Sequence, residues 1–367
     1  MTLRRFILVA PEPSETSPPN PGGMMTASVG LKSYANEQGI ELFYLDTTQS
    51  SFPVPSLLSR THKSVRRVIR LFWLAATKKP DGLIMFSSGG LAYFERGFMA
   101  RIAQLFRVPN ILYLRSGHIL PLFAKPGLKR RISQYFLHGS EFLGVQGANW
   151  LPFIESVGGP LDRVRVIPNW LAPETKLRDT PLTHNPGAPV RFCFTGWMVQ
   201  AKGVTELIDA ATQLHAAGKN FKLTLMGGGT LLDQLQAQVE ERGLGDCVTL
   251  TGWMDPAMVG PVLEKMDVFV LPTYAEGFPN ALMEAMSKGL PAISTPVGGI
   301  PDSLLDGQNG FLIAPRDSVA LASAMQRYID DPALISTHSE ATLKIVRDRH
   351  DYRRNCAELF GLFDTPR

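Results

Sequence analysis

The sequence predicts an α/β protein built from two Rossmann-like, doubly wound domains, and three observations lead to this prediction. The chain has 367 residues, which is too long for one ordinary hydrophobic core and suits two domains of about 170–180 residues. Short apolar runs alternate with helix-length segments, as in a parallel sheet that is covered by helices on both faces. A polar, proline-rich stretch at 171–189 interrupts the alternation, which then begins again.

The alternation places six strands on each side of that stretch. The predicted strands of the first half are Phe6–Ala10, Ile40–Leu45, Gly82–Phe86, Asn110–Leu114, Leu143–Gln146 and Val164–Ile167. Those of the second half are Arg191–Thr195, Lys222–Met226, Val248–Thr251, Asp267–Leu271, Ala292–Thr295 and Phe311–Ile313. We therefore predict domains at 1–170 and 188–348, a linker at 171–187, and a C-terminal helical segment at 349–367.

Composition narrows the compartment and the partners. The net charge of +4 and the pI near 8.9 allow anionic ligands, a membrane surface or nucleic acid. Three cysteines lie far apart without metal-type spacing, which favours a reducing cytoplasm. The apolar run Phe6–Ala10 is too short for a signal peptide, and no run approaches the roughly 18 apolar residues of a membrane-spanning helix.

The stretch from Val268 to Gly289 predicts a strand, a tight loop and a helix. Val268–Leu271 is a short apolar run that is typical of a buried parallel strand. Asn280 is a good N-cap for a helix that begins at Ala281, and Gly289 ends that helix. Such a strand-to-helix loop lies at the carboxyl end of the sheet, where ligands of open α/β sheets bind.

Two acids lie in this stretch, Glu276 in the loop and Glu284 in the first turns of the helix. Each could accept hydroxyl hydrogen bonds from one ligand, a sugar at one end and a ribose at the other. The amides of residues 280–282 are expected to point outward and to suit the diphosphate between them. On spacing alone, an ordinary loop acid and an ordinary first-turn acid explain the pair equally well.

The sequence of this stretch resembles the Glu-x7-Glu signature of retaining GT-B glycosyltransferases, glycosyltransferase family 4. The resemblance rests on Glu276-Gly-Phe-Pro-Asn-Ala-Leu-Met-Glu284 and on Gly289-Leu-Pro-Ala-Ile-Ser-Thr-Pro-Val-Gly-Gly299. It implies a GT-B fold with an interdomain cleft and a C-terminal cross-over helix, at about 352–363. It also implies that Glu276 positions the donor sugar and that Glu284 binds the ribose. The residues between the two acids would bind the donor: Gly277, Phe278, Pro279, Asn280, Ala281 and Leu282.

Two further motifs of the second half carry the resemblance. Gly196-Trp197 followed by Lys202-Gly203 is similar to the family's Gly-Arg and Lys-Gly pair, whose two cations grip the diphosphate. Trp197 stands in the arginine position, which leaves Lys202 as the one expected cation, although a solvated first-turn lysine is the ordinary alternative. The turn with Gly228 resembles a donor-side glycine turn, and Trp253-Met254 would lie beside the nucleotide base.

The first half contributes three weaker candidates. Gly22 and Gly23 follow the first strand in a loop that either makes a turn or lets a ligand approach the backbone. Arg115 and His118 follow the strand Asn110–Leu114. His118 resembles the family histidine that hydrogen-bonds the donor sugar, and Arg115 is a candidate to replace the missing arginine. A lone histidine is more often structural.

A basic helix predicted at 62–79 suggests a surface partner. Lys63, Arg66, Arg67 and Arg70 share one face, while Val65, Ile69, Phe72 and Ala76 are expected to pack against the sheet. A second basic patch contains Lys125, Lys129, Arg130 and Arg131. The stripe is either a solvated face or a docking surface for an anionic bilayer or acceptor lipid, releasable by salt. No aromatic platform interleaves with it, so nucleic acid is not favoured.

The resemblance implies a retaining glycosyltransferase that uses a nucleotide sugar, with UDP before GDP because UDP is the commonest nucleotide of the family's donors. We expect it to be metal-independent and to act on a glycan or lipid-linked glycan acceptor. No Asp-x-Asp sequence is present to hold a metal, so neither a metal nor another cofactor is expected. The alternatives are a GT-B sugar-nucleotide epimerase and a catalytically silent nucleotide-sugar-binding subunit. A nicotinamide-dependent dehydrogenase is disfavoured, because no Gly-x-Gly-x-x-Gly follows the first strand.

Overall fold

The chain divides into two compact units. The computed structural model describes residues 3–13, 23–48 and 56–364. Unit 1 comprises Met1–Pro173 and Asp351–Arg367, and unit 2 comprises Glu174–His350. Most of the segment predicted as a linker is attached to unit 2, because the amide of Arg178 donates to Ser287 O at 2.8 Å and that of buried Leu182 to Ser339 Oγ at 2.9 Å.

Each unit contains one six-stranded sheet whose neighbouring strands are all parallel. All the predicted strands are present, with bounds that differ by one residue at most. The strands of unit 1 are β1 Arg5–Val9, β2 Glu41–Tyr44, β3 Gly82–Ser87, β4 Asn110–Leu114, β5 Phe142–Val145 and β6 Val164–Val166. Those of unit 2 are β7 Val190–Thr195, β8 Phe221–Met226, β9 Val248–Leu250, β10 Val268–Leu271, β11 Ala292–Ser294 and β12 Gly310–Leu312.

The helices connect these strands in the manner of a doubly wound fold. In chain order they are α1 Gly23–Gln38, α2 Leu57–Lys78, α3 Leu91–Leu105, α4 Leu128–Leu137, α5 Leu151–Ser156, α6 Val204–Ala216, α7 Leu232–Glu241, α8 Pro256–Leu263, α9 Asn280–Ser287, α10 Ser318–Asp330, α11 Ala333–Arg349 and α12 Tyr352–Gly361. Short 3-10 turns include Gly117–Leu122 and Gln200–Lys202.

Strand order locates the ligand-binding edge of each sheet. The order is β2-β1-β3-β4-β5-β6 in unit 1 and β12-β11-β10-β7-β8-β9 in unit 2. The order in which the chain adds strands therefore reverses between β1 and β3 in one sheet and between β7 and β10 in the other, although all strands are parallel. Such a topological switch point opens a crevice at the carboxyl ends of the strands. The predicted α/β class with two doubly wound domains is confirmed.

The core of unit 1 explains why α12 belongs to it. Helices α1 and α12 cover one face of the sheet, and Phe360 packs edge-on against Phe6 of β1 with ring centroids 4.9 Å apart. The Tyr352 hydroxyl donates to Glu37 Oε1 of α1 at 2.6 Å, and Arg353 pairs with the same carboxylate. Helix α12 thus adds buried apolar area and hydrogen bonds to a sheet whose strands all come from the first half of the sequence.

Helix α2 corrects the predicted orientation of the basic stripe. Leu71, Leu74 and Ala75 are its buried residues, packed with β1, β3 and α3. By contrast, Val65, Ile69 and Phe72 are 51–64% exposed. Ala76 is exposed as well, so the prediction that these four residues pack against the sheet is wrong. Arg67 also leaves the predicted stripe, because it lies inside the fold with its Nε 2.8 Å from Glu95 Oε1.

The search for membrane-spanning segments covered the described residues only. None of the helices within 3–13, 23–48 and 56–364 combines the length and the apolar character that a bilayer crossing requires.

Candidate active site

The switch point of unit 2 brings together two of the predicted catalytic residues. Lys202 ends the 3-10 turn after β7, and Glu276 lies in the loop after β10. The strands β7 and β10 are neighbours, and the Lys202 ammonium group contacts Glu276 Oε1. Both side chains are largely buried, so the pair forms a low-dielectric, charged spot at the edge where a ligand would bind.

A network of hydroxyl groups that the sequence analysis missed holds this pair. The Thr273 hydroxyl lies 3.0 Å from Ala201 O and 3.3 Å from Glu276 Oε1. The Tyr274 hydroxyl donates to Glu206 Oε1 at 2.5 Å and accepts from Gln200 Nε2 at 3.0 Å. These bonds join the β10 loop to the turn that carries Lys202. The signal was available in principle, since Thr273 and Tyr274 directly follow β10, but their partners lie about seventy positions earlier in the chain.

Glycines fix the loops around the pair by close backbone packing. At Gly203, with φ 69°, a Cβ would collide with the carbonyl of Pro272 in the β10 loop. At Gly298, with φ 57°, a Cβ would collide with the carbonyl of Glu276. The amide of Gly299 donates to Gly277 O at 2.8 Å. The loops after β7, β10 and β11 are therefore packed on one another, and this arrangement preorganises the position of Glu276.

Helix α9 starts one residue earlier than predicted. Pro279 is its N-cap and Asn280 its first residue, rather than the N-cap. The amide of Leu282 donates to Pro279 O at 3.2 Å, so the prediction that this amide is free for a phosphate is wrong. Leu282 also has its side chain in the core, and the ring of Phe278 packs on His350, with centroids 5.1 Å apart. Phe278 can therefore meet a ligand through its backbone only.

Glu284 lies one helical turn inside α9. Burial by the surrounding protein raises the pKa of its carboxyl to about 7, although the residue remains exposed to solvent. Both properties suit a carboxyl in a recess that water can enter. A group of this kind gains from hydroxyl donors, because hydrogen bonds to the carboxylate compensate for its poor solvation. A ribose supplies two such donors.

Two exposed tryptophans lie in the loops after β7 and β9 at this edge. Trp197 and Trp253 make a T-shaped contact with centroids 4.7 Å apart, and they are 40% and 51% exposed. Gly228 permits the contact, because a Cβ there would meet the Trp253 indole nitrogen at 2.5 Å. The amide of Met198 donates to Gly228 O at 2.8 Å. The predicted residues Gly196, Gly228 and Trp253 are thus adjacent, whereas Met254 begins the loop into α8.

In unit 1, His118 lies where the sequence predicted, after β4. It is exposed on the 3-10 turn Gly117–Leu122, and its amide donates to Ser116 Oγ at 3.2 Å. Its backbone also packs directly on Gly89 in the loop after β3, where no Cβ could be accommodated. The histidine is therefore anchored through its main chain, and its ring is available to solvent.

The placement of Arg115 differs from its predicted role in donor binding. The guanidinium group is buried in unit 1, over the rings of Phe86, Tyr113 and Trp170 at 4.6–5.3 Å from their centroids, and it donates to Asn169 Oδ1. Burial lowers the pKa of Arg115 below its usual value. These contacts make it a structural cation, which ties β4 to the segment after β6.

The remaining predictions concern the first loop and metal ions. Gly23 is the exposed first residue of α1, while Gly22 lies outside the described residues. Across 3–13, 23–48 and 56–364, no group of three or more His, Cys, Asp and Glu side chains is placed to hold a metal ion. Metal independence itself stays a prediction.

Comparison with known proteins gives the second unit a family resemblance. Residues 189–331 match the model of glycosyl transferases group 1. The amylovoran biosynthesis glycosyltransferase AmsK of Erwinia amylovora is 32% identical over 272 residues, which are 69% of this chain and 63% of AmsK. The putative colanic acid biosynthesis glycosyltransferase WcaL of Salmonella typhimurium is 30% identical over 63% of this chain and 58% of WcaL. The chain thus spans about three fifths of the length of these relatives.

Solved structures match the whole chain in fold. Sucrose-phosphate synthase from Thermosynechococcus elongatus superposes with a TM-score of 0.78 and 17% identity over 98% of both chains. Anabaena HepE in complex with UDP and glucose superposes with a TM-score of 0.70 and 16% identity, over 99% of this chain and all of HepE. At this level of identity the likeness shows the fold alone, and the predicted GT-B fold class is confirmed.

Proposed function

We propose that the chain is a glycosyltransferase that moves a sugar from a nucleotide-sugar donor to a glycan acceptor in polysaccharide or glycoconjugate biosynthesis. The observation that carries the proposal is the contact of Lys202 with Glu276 at the switch point of unit 2. It combines a cation for a leaving diphosphate with a carboxylate for sugar hydroxyls. The match of residues 189–331 to glycosyl transferases group 1, and the names of the relatives, favour transfer over epimerisation or silent binding.

The proposed mechanism assigns one task to each residue. Lys202 neutralises charge on the departing diphosphate, an interaction that strengthens in the transition state. Glu276 orients the donor sugar, and Glu284 accepts from the ribose hydroxyls. His118 assists from unit 1. The acceptor attacks the face from which the diphosphate leaves, through an oxocarbenium-like state, so that the anomeric configuration is retained.

The contacts of Glu276 support a positioning role over a nucleophilic one. Its Oε1 contacts Lys202 and lies 3.3 Å from the Thr273 hydroxyl. Both interactions lower the nucleophilicity of that oxygen, because they satisfy its lone pairs. We therefore propose a single displacement at the anomeric carbon. The reaction needs no metal ion, since Lys202 carries the charge that neutralises the diphosphate.

We propose a UDP-sugar as the donor, with a GDP-sugar as the next choice. The complex of HepE with UDP and glucose supports this order. The names of AmsK and WcaL, glycosyltransferases of amylovoran and colanic acid biosynthesis, support a glycan acceptor. We propose that this acceptor is lipid-linked and that unit 1 docks on an anionic membrane surface to reach it. We place the protein in the cytoplasm, at the inner face of that membrane.

The test is a two-step experiment. A thermal-shift screen of nucleotide sugars identifies the donor, since a ligand at 100 times its Kd stabilises by about 2.7 kcal/mol. The selected donor is then incubated with candidate glycan acceptors in EDTA, and the product is analysed by NMR. Transfer with retained anomeric configuration is the expected result. Release of free nucleotide with an epimerised sugar and no acceptor, inversion, or an absolute requirement for Mg²⁺ or Mn²⁺ would each refute the corresponding part.

A further inference from the structure

The solvent-facing sides of helices α2, α3 and α4 in unit 1 expose several large apolar side chains. Helices α2, α3 and α4 lie side by side on one face of the sheet. Phe72 of α2 packs on Phe106 at the end of α3, with centroids 4.8 Å apart, and the Tyr93 hydroxyl of α3 donates to Ser133 O of α4 at 2.7 Å. Large exposed apolar residues occur on all three, among them Val65, Ile69, Phe72 and Trp73 on α2, Phe98 on α3 and Ile132 on α4. We call this surface the α2–α4 face.

Helix α2 shows how the surface is organised. Its buried residues, Leu71, Leu74 and Ala75, define the side that contacts the sheet. Residues 58, 65, 69, 72 and 76 follow helical spacing on the opposite side, so the most outward part of the helix is apolar. Lys63, Arg66 and Arg70 flank this apolar strip and are exposed. An outward apolar strip with a cationic border is the pattern of a helix that lies in a membrane interface.

Charge identifies the partner. The sequences of α2, α3 and α4 contain many lysines and arginines and one acidic residue, Glu95. The Glu95 side chain is buried and paired with Arg67 and Arg96, so it offers no negative charge to the surface. A cationic and apolar surface is complementary to a bilayer of anionic lipids, whose headgroups bind the basic border and whose acyl region takes up the apolar strip.

We propose that the α2–α4 face inserts its apolar side chains into the interface of an anionic bilayer, with α2 parallel to the membrane plane. The inference deepens the proposed function, because it assigns residues to the membrane surface on which the acceptor is proposed to lie. It also differs from docking that depends on charge alone. With Val65, Ile69 and Phe72 turned outward, apolar transfer adds to the attraction and does not depend on salt.

The experiment compares two double variants in vesicle flotation, without donor or acceptor. Val65→Ser with Ile69→Ser keeps every basic residue of the face. Val319→Ser with Met258→Ser removes equally exposed apolar residues from unit 2 and is the matched control. With vesicles containing phosphatidylglycerol, we expect the partition coefficient of the unit 1 variant to fall about tenfold for each apolar residue replaced. The control should bind like the wild type.

Tryptophan fluorescence provides the second readout. Trp73 lies on α2 and is exposed, so insertion should shift its emission to the blue and allow quenching by lipids brominated near the top of the acyl chains. Trp73→Phe should remove that quenching. Equal binding of the two double variants, complete release of the wild type in 1 M salt, or a monodisperse dimer that ignores vesicles would overturn the proposal. Because no step needs catalysis, loss of transferase activity would not affect the result.

Discussion

Each unit is a doubly wound, six-stranded parallel sheet with its own strand order, and the two units differ in where they carry their unusual chemistry. Unit 2 concentrates it at the strand ends, where Lys202 and Glu276 meet between loops that are packed on one another. Unit 1 has a buried cation, Arg115, near the same edge, and carries its exposed charge and apolar surface on the outside of α2–α4. One fold class therefore yields two kinds of surface, which differ in the side chains that they carry.

The difference also concerns rigidity. The strand-end loops of unit 2 are linked by backbone hydrogen bonds from Met198 to Gly228, Gly227 to Gly252 and Gly299 to Gly277. Such links fix groups that must stabilise a transition state, because reorganisation during the reaction would cost energy. The proposed partner of the α2–α4 face sets no such requirement, since a bilayer can adapt to the shape of a protein surface. Four predictions sharpen this comparison.

The largest effect should come from Lys202→Ala. We expect kcat to fall by about 10²–10³-fold with a smaller loss of donor affinity, because the diphosphate gains charge only in the transition state. Steady-state kinetics and calorimetry measure the two quantities. Lys219→Ala, which removes the surface pair with Asp330 at 2.7 Å in the same unit, is the control. A loss of affinity with unchanged kcat would make Lys202 a simple binding group.

Arg115→Leu should separate the buried cation of unit 1 from Lys202, the cation of unit 2 that is proposed to act on the donor diphosphate. We expect unit 1 to lose about 2–4 kcal/mol of stability, through the lost bond to Asn169, the lost ring contacts and imperfect packing. Urea unfolding followed by circular dichroism measures this loss, and the exposed Arg131→Leu is the control. Nucleotide affinity below the transition should be unchanged, and a large decrease would restore Arg115 to the donor site.

The two acids of unit 2 should differ in their effect on nucleotide binding. Glu284→Ala should weaken binding of UDP by about 1–3 kcal/mol, because the ribose hydroxyls lose their acceptor. Glu276→Ala should leave that affinity nearly intact and depress turnover, since its partner is the sugar. Calorimetry with free UDP decides. Similar losses in both variants would contradict the division of roles.

The smallest predicted effect is on pH dependence. With the pKa of Glu284 at about 7 in the free protein, binding that needs the carboxylate should strengthen by up to about tenfold between pH 6 and pH 8. A nucleotide sugar is the right ligand, because its diphosphate does not titrate in this range. Glu284→Gln should flatten the profile. The sign for stability is opposite: the raised pKa favours folding at low pH, and this contribution declines as pH rises to about 7.

Sequence patterns predicted the strands well, because a parallel strand that is buried on both faces must be a short apolar run. They also placed Lys202 and Glu276 at strand ends, although the contact between them depends on strand order. The orientation of helix α2 was predicted wrongly, because the helix has two apolar strips, one with Leu71 and one with Ile69. Periodicity finds both strips but cannot tell which faces the sheet. The burial of Arg115 could not be predicted for a related reason, because its aromatic surroundings come from distant segments.

The position of α12 has a consequence for how the protein is made. The helix completes the core around Phe6, yet its residues leave the ribosome after all of unit 2. During synthesis, the part of the unit 1 sheet that α12 covers stays exposed while residues 174–350 emerge and fold. A nascent chain is therefore most exposed to aggregation and chaperone binding until its final turns dock. Proteins truncated by nonsense or frameshift mutations near position 350 should accordingly be degraded by cellular proteases, even though they retain every residue of the candidate active site.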